Sequence, residues 1–210
     1  MLKLASIAQL DDLVYSDTIK DKHKNHINNI GEEFIDFNIQ NFMTTPPPRN
    51  GSTQTFNEMT GLEKLNFNID VKAADKTQEY FESKLNKLGL DYPKAKIIDL
   101  IRQSRGIIFI LKYYYNRPRP NQIAKELGLK FHEEPLASTN TPAYPSGHAT
   151  QGRFISRYLC DLYPDNADEI MKIGDDVSNS RLQAKVHYQS DSDIGLALGD
   201  SLYKHWKNKI

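Results

Sequence analysis

The chain has 210 residues with 27 basic and 27 acidic side chains, so its formal net charge is zero. This balance argues against a general nucleic-acid binder or a surface attracted to anionic lipid, and any cationic site must therefore be local. The longest fully apolar run, residues 107–111, is far shorter than the roughly 20 residues of a membrane-spanning helix, and together with a mean hydropathy of −0.61 it predicts a soluble chain without a membrane span.

The length favours a single domain, residues 1–210, in which the N-terminal helices up to residue 93 belong to the same unit. Residues 1–17 contain one lysine, and Gln9, Asp11 and Asp12 interrupt their apolar residues, so this stretch makes a poor secretory signal. The expected location is the cytoplasm, unless a signal was removed from the chain. The single cysteine, Cys160, excludes an internal disulfide and gives no metal-ligand cluster, so we predict no metal site.

Helical periodicity predicts a first helix at residues 25–43, with apolar residues at every third or fourth position. His23 and His26 belong to its lysine-rich lead-in and are interpreted as solvated. Residues 44–55 contain three prolines and a glycine, which predict an exposed loop. We expect this loop to be one wall of a substrate pocket.

Two further helices are predicted in the first half of the chain, a short one at residues 60–65 and a longer one at residues 75–88. In the longer helix Asp75 and Gln78 have the spacing of a capping box, and Gly89 is a typical residue for its end. The residues that should face inward are Phe81, Leu85 and Leu88.

A long apolar helical pattern begins at Lys94 and ends before the prolines of residues 116–120. The stem of Lys112 runs beside the apolar face, so the residue is either directed inward or is a lysine that extends to water at the helix end, and this segment alone leaves both open. Arg117 is near enough to Arg119 to contact the leaving group of a substrate, although a surface position is favoured.

Residues 121–143 are predicted to be a long connection with weak helical character at residues 123–127. His132 and the adjacent Glu133 and Glu134 are interpreted as surface residues. Together with the proline-rich loop, this connection is a candidate wall of the substrate pocket.

The segment Pro145-Ser146-Gly147-His148 precedes a helical pattern and should open a helix. Ser146 suits the N-cap, and the free amides of the first turn form a site that attracts anions. Taken alone, this segment is more typical of a cap followed by a solvated histidine than of an anion site.

Two charged residues continue apolar helical stripes and should therefore point inward. Arg181 follows the stripe of Ile170, Gly174 and Val177, and Asp191 heads a stripe that continues toward the C-terminus. His187 lies four residues before Asp191, so in a helix the carboxylate would hold the imidazole Nδ1–H and leave Nε2 free to attack. Buried charges are costly unless they meet a counter-charge or a ligand, and a bound phosphate would supply one.

No segment alternates as a β-strand does, so the predicted fold class is all-α. Three ordered segments then carry a resemblance. They are Lys112, six residues and Arg119-Pro120; Pro145-Ser146-Gly147-His148; and Ser180-Arg181, five residues, His187, three residues and Asp191. Together they span 80 residues and resemble the signature of the type 2 phosphatidic acid phosphatase and vanadium haloperoxidase superfamily, which includes the soluble bacterial class A, or non-specific, acid phosphatases.

The resemblance implies a helical bundle of the acid phosphatase/vanadium haloperoxidase type with the active site at one end of the core bundle. It implies metal-independent hydrolysis of a small phosphomonoester through a phosphohistidine, with no cofactor and with vanadate as an inhibitor. By position, His187 would be the nucleophile, Asp191 its orienting group and His148 the acid. The phosphate-binding residues implied are Lys112, Arg119, Ser146, Gly147 and Arg181.

Two other functions would use the same residues. A vanadium haloperoxidase would hold vanadate as its cofactor in this anion site, and the segment PAYPSGHAT is similar to those enzymes as well. The short chain and the segment HYQSD favour the phosphatase. A phosphate-binding module without turnover would need neither His148 nor His187. A homodimer, common in the family, is left open.

Overall fold

The computed structural model describes residues 9–210, and all regular structure within this range is helical, which confirms the predicted fold class. Residues 1–8, which begin the stretch interpreted as a poor secretory signal, lie outside the described residues. The helices are α1 (Asp21–Asn28), α2 (Gln40–Met43), α3 (Thr53–Leu62), α4 (Val71–Asp75), α5 (Thr77–Lys87), α6 (Lys94–Tyr115), α7 (Pro120–Glu126), α8 (Gly147–Leu162), α9 (Ala167–Gln183) and α10 (Gln189–Lys207), with a 3₁₀ turn at Pro164–Asn166. None of these helices is both long and apolar enough to cross a bilayer.

The single helix predicted at residues 25–43 is wrong. Helix α1 ends at Asn28, and the chain then runs through turns to the short helix α2. The break coincides with a close approach to α6, where the Gly31 N–H donates to the Gln103 carbonyl at 3.1 Å. A Cβ on Gly31 would lie only 2.4 Å from the Gln103 side chain, so a residue with a side chain would not fit here. Phe34 is nevertheless buried, as its apolar spacing suggested.

The segment around Asp75 also differs from its prediction. Asp75 is the last residue of α4, whose N-cap is Asp70, and α5 begins two residues later, so the predicted capping box is wrong. Phe81 is buried as expected, but Leu88 is 39% exposed. Gly89 ends the helix with a φ of +71°, which confirms its predicted role. Because Asp75 lies at the junction of α4 and α5 and does not cap α5, its side chain can contact residues of other segments.

The proline-rich segment leads into a helix earlier than predicted, because Ser52 caps α3 by accepting from the Thr55 N–H at 3.2 Å. The helix predicted at residues 60–65 is therefore the last part of α3. Helix α6 has the predicted extent, and Asn116 ends it in the left-handed conformation with a φ of 47°.

Helices α8, α9 and α10 form the core of the bundle, with α8 packed between the other two. Glycines at the contacts permit this close approach. A Cβ at Gly199 of α10 would lie 2.5 Å from the carbonyl oxygen of Thr150 on α8, and one at Gly174 of α9 would lie 3.0 Å from the carbonyl oxygen of Gly152. The apolar residues that these contacts bury include Ile155, Leu159, Ile170, Val177 and Leu198.

The direction of the helices brings four helix ends together. The antiparallel pair α8 and α9 places the start of α8 beside the end of α9, and α10 begins beside the start of α8, where the Ser146 N–H donates to the Asp191 carbonyl at 2.9 Å. The C-terminal end of α6 reaches the same region, since Lys112 contacts the loop before α8. The three sequence motifs therefore converge at one end of the core bundle.

Candidate active site

A cavity of about 340 Å³ opens at this end of the bundle, a volume in the range of small-molecule sites. Its walls come from α1, α6, the loop at residues 137–141 and the first turns of α8. Five predicted site residues line it: Lys112, Arg119, Gly147, His148 and His187. The structure thus brings together residues that lie up to 75 positions apart in the sequence.

Two buried cations form the floor of the cavity. The Lys112 ammonium donates to the carbonyl of Pro142 at 2.5 Å, so the alternative of a lysine that extends to water is wrong. Arg119 donates from Nε to the carbonyl of Thr141 at 2.9 Å and from Nη1 to that of Val186 at 2.6 Å. Neither pairs with a carboxylate within residues 9–210. Burial, followed by the charge of Arg119, holds the pKa of Lys112 well below its usual range, so a bound anion would stabilise this floor.

The contacts of His187 fix its tautomer. Its Nδ1 lies 3.1 Å from Oδ2 of Asp191, and its Nε2 lies 3.4 Å from Nη1 of Arg119. A carboxylate only accepts and a guanidinium only donates, so the proton belongs on Nδ1 and the lone pair on Nε2. The pairing forms across the N-terminus of α10 rather than within a helix, because α10 begins after His187.

Asp191 is held by a second buried arginine. Arg117 is 2% exposed and donates from Nη1 to Oδ1 of Asp191 at 2.6 Å, while its Nη2 lies 3.3 Å from Glu58. Its guanidinium also stacks on the ring of Tyr188 at 3.9 Å. Both sequence interpretations of Arg117, a surface residue or a contact to the leaving group, are therefore wrong. Burial alone would raise the pKa of Asp191, but Arg117 and His187 lower it to about 2, so the group stays a carboxylate.

The other histidine of the cavity contacts Asp75. The Nε2 atom of His148 lies 3.0 Å from the Asp75 carbonyl oxygen and 3.3 Å from its carboxylate, so Nε2 is the protonated nitrogen. Burial and the charge of Arg181 lower the pKa of His148, while the contacts to Asp75 oppose this shift. Burial would raise the pKa of Asp75 itself, but hydrogen bonds from His148 and Ser138 and the charge of Arg181 lower it.

Arg181 is buried, as its helical stripe predicted, but it does not line the cavity. Its Nη1 donates to Asp75 at 2.7 Å and its Nη2 donates to Ser138 at 2.9 Å. The carboxylate of Asp75 thus occupies the position on this guanidinium that the implied phosphate oxygen would take. Arg181 as a phosphate ligand stays a prediction.

Ser146 is also placed away from the cavity lining. Its Oγ accepts from the Ala149 N–H at 3.3 Å, which confirms the predicted N-cap of α8. The hydroxyl is fully buried, so its role as a donor to phosphate stays a prediction.

The wall nearest α1 differs from its prediction as well. His23 is buried and contacts the Tyr113 hydroxyl at 2.6 Å, so its interpretation as solvated is wrong. His26 is half-buried and lines the cavity beside it. Residues 137–141 of the long connection line the cavity as expected. The proline-rich loop does not, since it lines a separate depression beside Tyr144 and Ser190.

The floor of the cavity suits a tetrahedral oxyanion such as phosphate or vanadate. Lys112 and Arg119 supply charge, and the first turn of α8 at Gly147 supplies main-chain N–H groups. Within residues 9–210, no group of three or more His, Cys, Asp and Glu side chains is arranged to hold a metal ion.

The sequence interpretation missed the contacts that Arg117, Asp75 and Glu58 make in the site. Arg117 had a signal, because it alternates with Arg119 in an extended segment and alternate residues of an extended chain share one side. Asp75 and Glu58 had none, since each reaches the site from a helix that carries no motif and lies far away in the sequence.

Comparison with known proteins agrees with this arrangement. A family model described as the PAP2 superfamily matches residues 100–206, a range that contains all eight predicted site residues. A non-specific acid phosphatase of Salmonella typhimurium is 32% identical over 88 residues, which are 42% of this chain and 35% of that protein. A non-specific acid phosphatase of Providencia stuartii is 39% identical over 51 residues, which are 24% of this chain and 21% of that protein. The matched segments thus span about a third or less of these curated relatives.

A similar fold occurs in a solved structure, the crystal structure of the first bacterial vanadium-dependent iodoperoxidase. The TM-score is 0.59 at 15% sequence identity, and the match covers 79% of this chain and 52% of that one. This likeness establishes the helical architecture that surrounds the cavity.

Proposed function

This chain belongs to the PAP2 superfamily, and on that premise we propose that it hydrolyses small phosphomonoesters without a metal ion, through a phosphohistidine formed on His187. The similarity to non-specific acid phosphatases supports a phosphatase. The proposal depends most on one observation. The contacts to Asp191 and Arg119 leave Nε2 of His187 unprotonated, and His187 lines a cavity whose floor carries two buried cations.

In the proposed reaction, Nε2 of His187 attacks phosphorus and the bond to the leaving oxygen breaks. The charge of the transition state spreads over the equatorial oxygens, where Lys112, Arg119 and the first-turn amides of α8 stabilise it. These groups are already fixed by contacts to main-chain carbonyls, so little reorganisation accompanies the reaction.

His148 is the proposed acid and base. Its Nε2 holds a proton toward Asp75, so in the charged form the proton given to the leaving alkoxide is the one on Nδ1. The neutral imidazole that remains then takes a proton from water, which attacks phosphorus, breaks the bond to His187 and releases phosphate. Asp191 stabilises the positive charge on His187 during both steps.

The fold of the iodoperoxidase raises the alternative of vanadate as a cofactor. The donor set at the floor fits vanadate as well as phosphate, since both are tetrahedral oxyanions. When bound, vanadate would supply oxidation of a halide by peroxide, with Lys112, Arg119 and His187 as the residues that hold it. We propose phosphatase activity as the function, with vanadate as an inhibitor, because the named relatives with the higher sequence identity are phosphatases.

The test is hydrolysis of p-nitrophenyl phosphate in excess EDTA, with and without orthovanadate. We expect turnover that vanadate blocks and that His187→Ala reduces at least about 10³-fold. His132→Ala is the matched control, because His132 is exposed and should leave activity unchanged. An acid-labile, base-stable label from radioactive substrate is expected on the wild type. Full activity of His187→Ala, or halide oxidation by the vanadate-loaded protein without phosphatase activity in its absence, would contradict the proposal.

A further inference from the structure

The cavity extends beyond its floor to a part formed by Lys22, His26, Arg105 and Phe109, here called the outer wall. The proposed hydrolysis at the floor uses none of these residues. Arg105 precedes Lys112 by seven positions on α6, so both point from one face of the helix, about two turns or ~10 Å apart along its axis. The outer wall therefore faces the leaving group of a substrate whose phosphate lies on the floor.

Arg105 has no counter-charge in the part of the chain that the structure describes. It is half-buried, no carboxylate of residues 9–210 pairs with it, and burial lowers its pKa. A guanidinium that loses water without gaining a negative partner is destabilised unless a ligand supplies the charge. Arg102, three residues earlier on the same helix, instead pairs with Asp99 at 2.5 Å and is exposed.

The cations Arg105 and Lys22 and the imidazole of His26 line the outer wall together. Burial, then the charges of Arg105 and Lys22, lower the pKa of His26, so these groups are close enough to interact. Burial and neighbouring lysines, including Lys22 and Lys112, lower the pKa of the adjacent His23 to about 4. Cationic side chains thus line the cavity from the floor to the outer wall, whereas the protein as a whole has no net charge.

An apolar surface lies between the two positive regions. Phe109 and Ile108 separate Arg105 from Lys112 on the same face of α6 and line the cavity. The ring of Phe109 also stacks on His26, with the ring centroids 5.3 Å apart. A carbon skeleton can pack against this surface while both of its ends contact cations.

We propose that Arg105, Lys22 and His26 form a second anion subsite, which binds a phosphate at the far end of the leaving group while the reacting phosphate lies on Lys112 and Arg119. This inference rests on the proposed phosphatase function and names its substrate class as bisphosphates with a sugar ring or short carbon chain between the phosphates. The separation of ~10 Å along α6 is too long for two phosphates that share one oxygen.

The test compares glucose 1,6-bisphosphate with glucose 6-phosphate, which has the same ring and one phosphate fewer. For the comparison, kcat/KM of the bisphosphate is divided by its number of phosphates. In the wild type this corrected value is expected to be at least about tenfold higher than kcat/KM of glucose 6-phosphate, as for one charge-assisted contact. In Arg105→Met this ratio is expected to fall to the value given by the number of phosphates alone. The matched control Arg102→Met should keep the wild-type ratio.

Two results of this kinetic comparison would overturn the subsite: a wild-type ratio explained by the number of phosphates, or the same loss of preference in Arg102→Met and Arg105→Met. Calorimetric binding of both sugars to His187→Ala gives the comparison without turnover. If the bisphosphate binds more tightly than glucose 6-phosphate and this difference depends on Arg105, the subsite is supported. If the wild type nevertheless hydrolyses neither sugar, only the proposed catalysis fails. Equal binding of the two sugars would overturn the subsite alone.

Discussion

Replacing Arg117 with methionine tests whether this buried arginine holds the carboxylate of Asp191 in place. The change removes the 2.6 Å contact to Asp191 and the 3.3 Å contact to Glu58, at a site where Asp191 is 0% exposed. Breaking a buried ion pair by removing one partner costs about 3–5 kcal/mol, because the other charge remains buried without compensation. For a chain of this size that loss corresponds to a fall in Tm of roughly 6–20 °C.

A double-mutant cycle separates the ion pair from lost packing. Arg117→Met, Asp191→Asn and the double variant are compared with the wild type by urea denaturation. We expect the double variant to be more stable than the sum of the two single changes predicts, by at least about 1.5 kcal/mol, because the neutral amide introduced by Asp191→Asn carries no charge that needs Arg117. Additivity within about 0.5 kcal/mol would refute the pairing as a source of stability.

An exposed ion pair of the same length provides the control. Arg157 contacts Asp200 at 2.6 Å, but both side chains are more than 40% exposed, so Arg157→Met should cost no more than about 1 kcal/mol. A loss equal to that of Arg117→Met would show that burial is not the deciding factor.

The effect of Arg117→Met should also depend on pH. The pKa of Asp191 falls from an ordinary value of 3.8 to about 2 in the folded protein, so its contribution to stability is present above pH 3.8 and is lost as pH falls toward 2. Without Arg117, burial favours the neutral acid, and protonation relieves the unpaired charge. The destabilisation by Arg117→Met is therefore greatest near neutral pH and shrinks on acidification, whereas a pH-independent loss would contradict this account.

Four further predictions concern the site and the bundle. The pH profile of kcat/KM, corrected for substrate ionisation, is expected to be bell-shaped with both of its limbs below pH 6.5. The reason is that burial lowers the pKa of His148 and of His187 from that value. Asp75→Asn should move the alkaline limb to still lower pH, since Asp75 favours the charged form of His148; an upward movement would contradict the contact. Inorganic phosphate should stabilise the protein by about 2.7 kcal/mol at 100 times its Kd, seen as a rise in Tm, and no rise would argue against the anion site. Gly199→Ala should lower the free energy of unfolding by about 1–3 kcal/mol, because its Cβ would lie 2.5 Å from a main-chain oxygen. In the control Gly61→Ala the new Cβ has nothing within 4 Å, so this change should stabilise its helix. Equal effects of the two changes in denaturation would contradict the close packing at Gly199.

The second half of the fold could be predicted from sequence because its signals are local and agree with one another. Helix α6 ends where Asn116 and the prolines require it, Ser146 caps α8, and the apolar stripe that ends at Arg181 is buried along its whole length. In each case the residue type and the spacing decide the structure within a few positions. The three motifs then converge because these helices pack against each other.

The first half was harder to predict because tertiary contacts override the local pattern there. The spacing of apolar residues at 25–43 is helical, yet the close approach of Gly31 to α6 breaks the helix, and only the burial of Phe34 survives from the prediction. His23 follows lysines in the sequence and looks solvated, but packing of α1 against α6 buries it beside Tyr113. Asp75 looks like a helix cap, but it pairs with Arg181, which lies 106 positions later.

The two histidines of the cavity differ in what faces Nε2, and this difference favours one role for each. At His187 the neighbour is the guanidinium of Arg119, which opposes a proton on Nε2 and keeps the lone pair available. At His148 the neighbours are the carbonyl and carboxylate of Asp75, which hold a proton on Nε2. A bound phosphate adds negative charge near both rings, but at His187 the lone pair already faces a fixed donor. The added charge therefore promotes protonation chiefly at His148, which is the state that its proposed role as the acid requires.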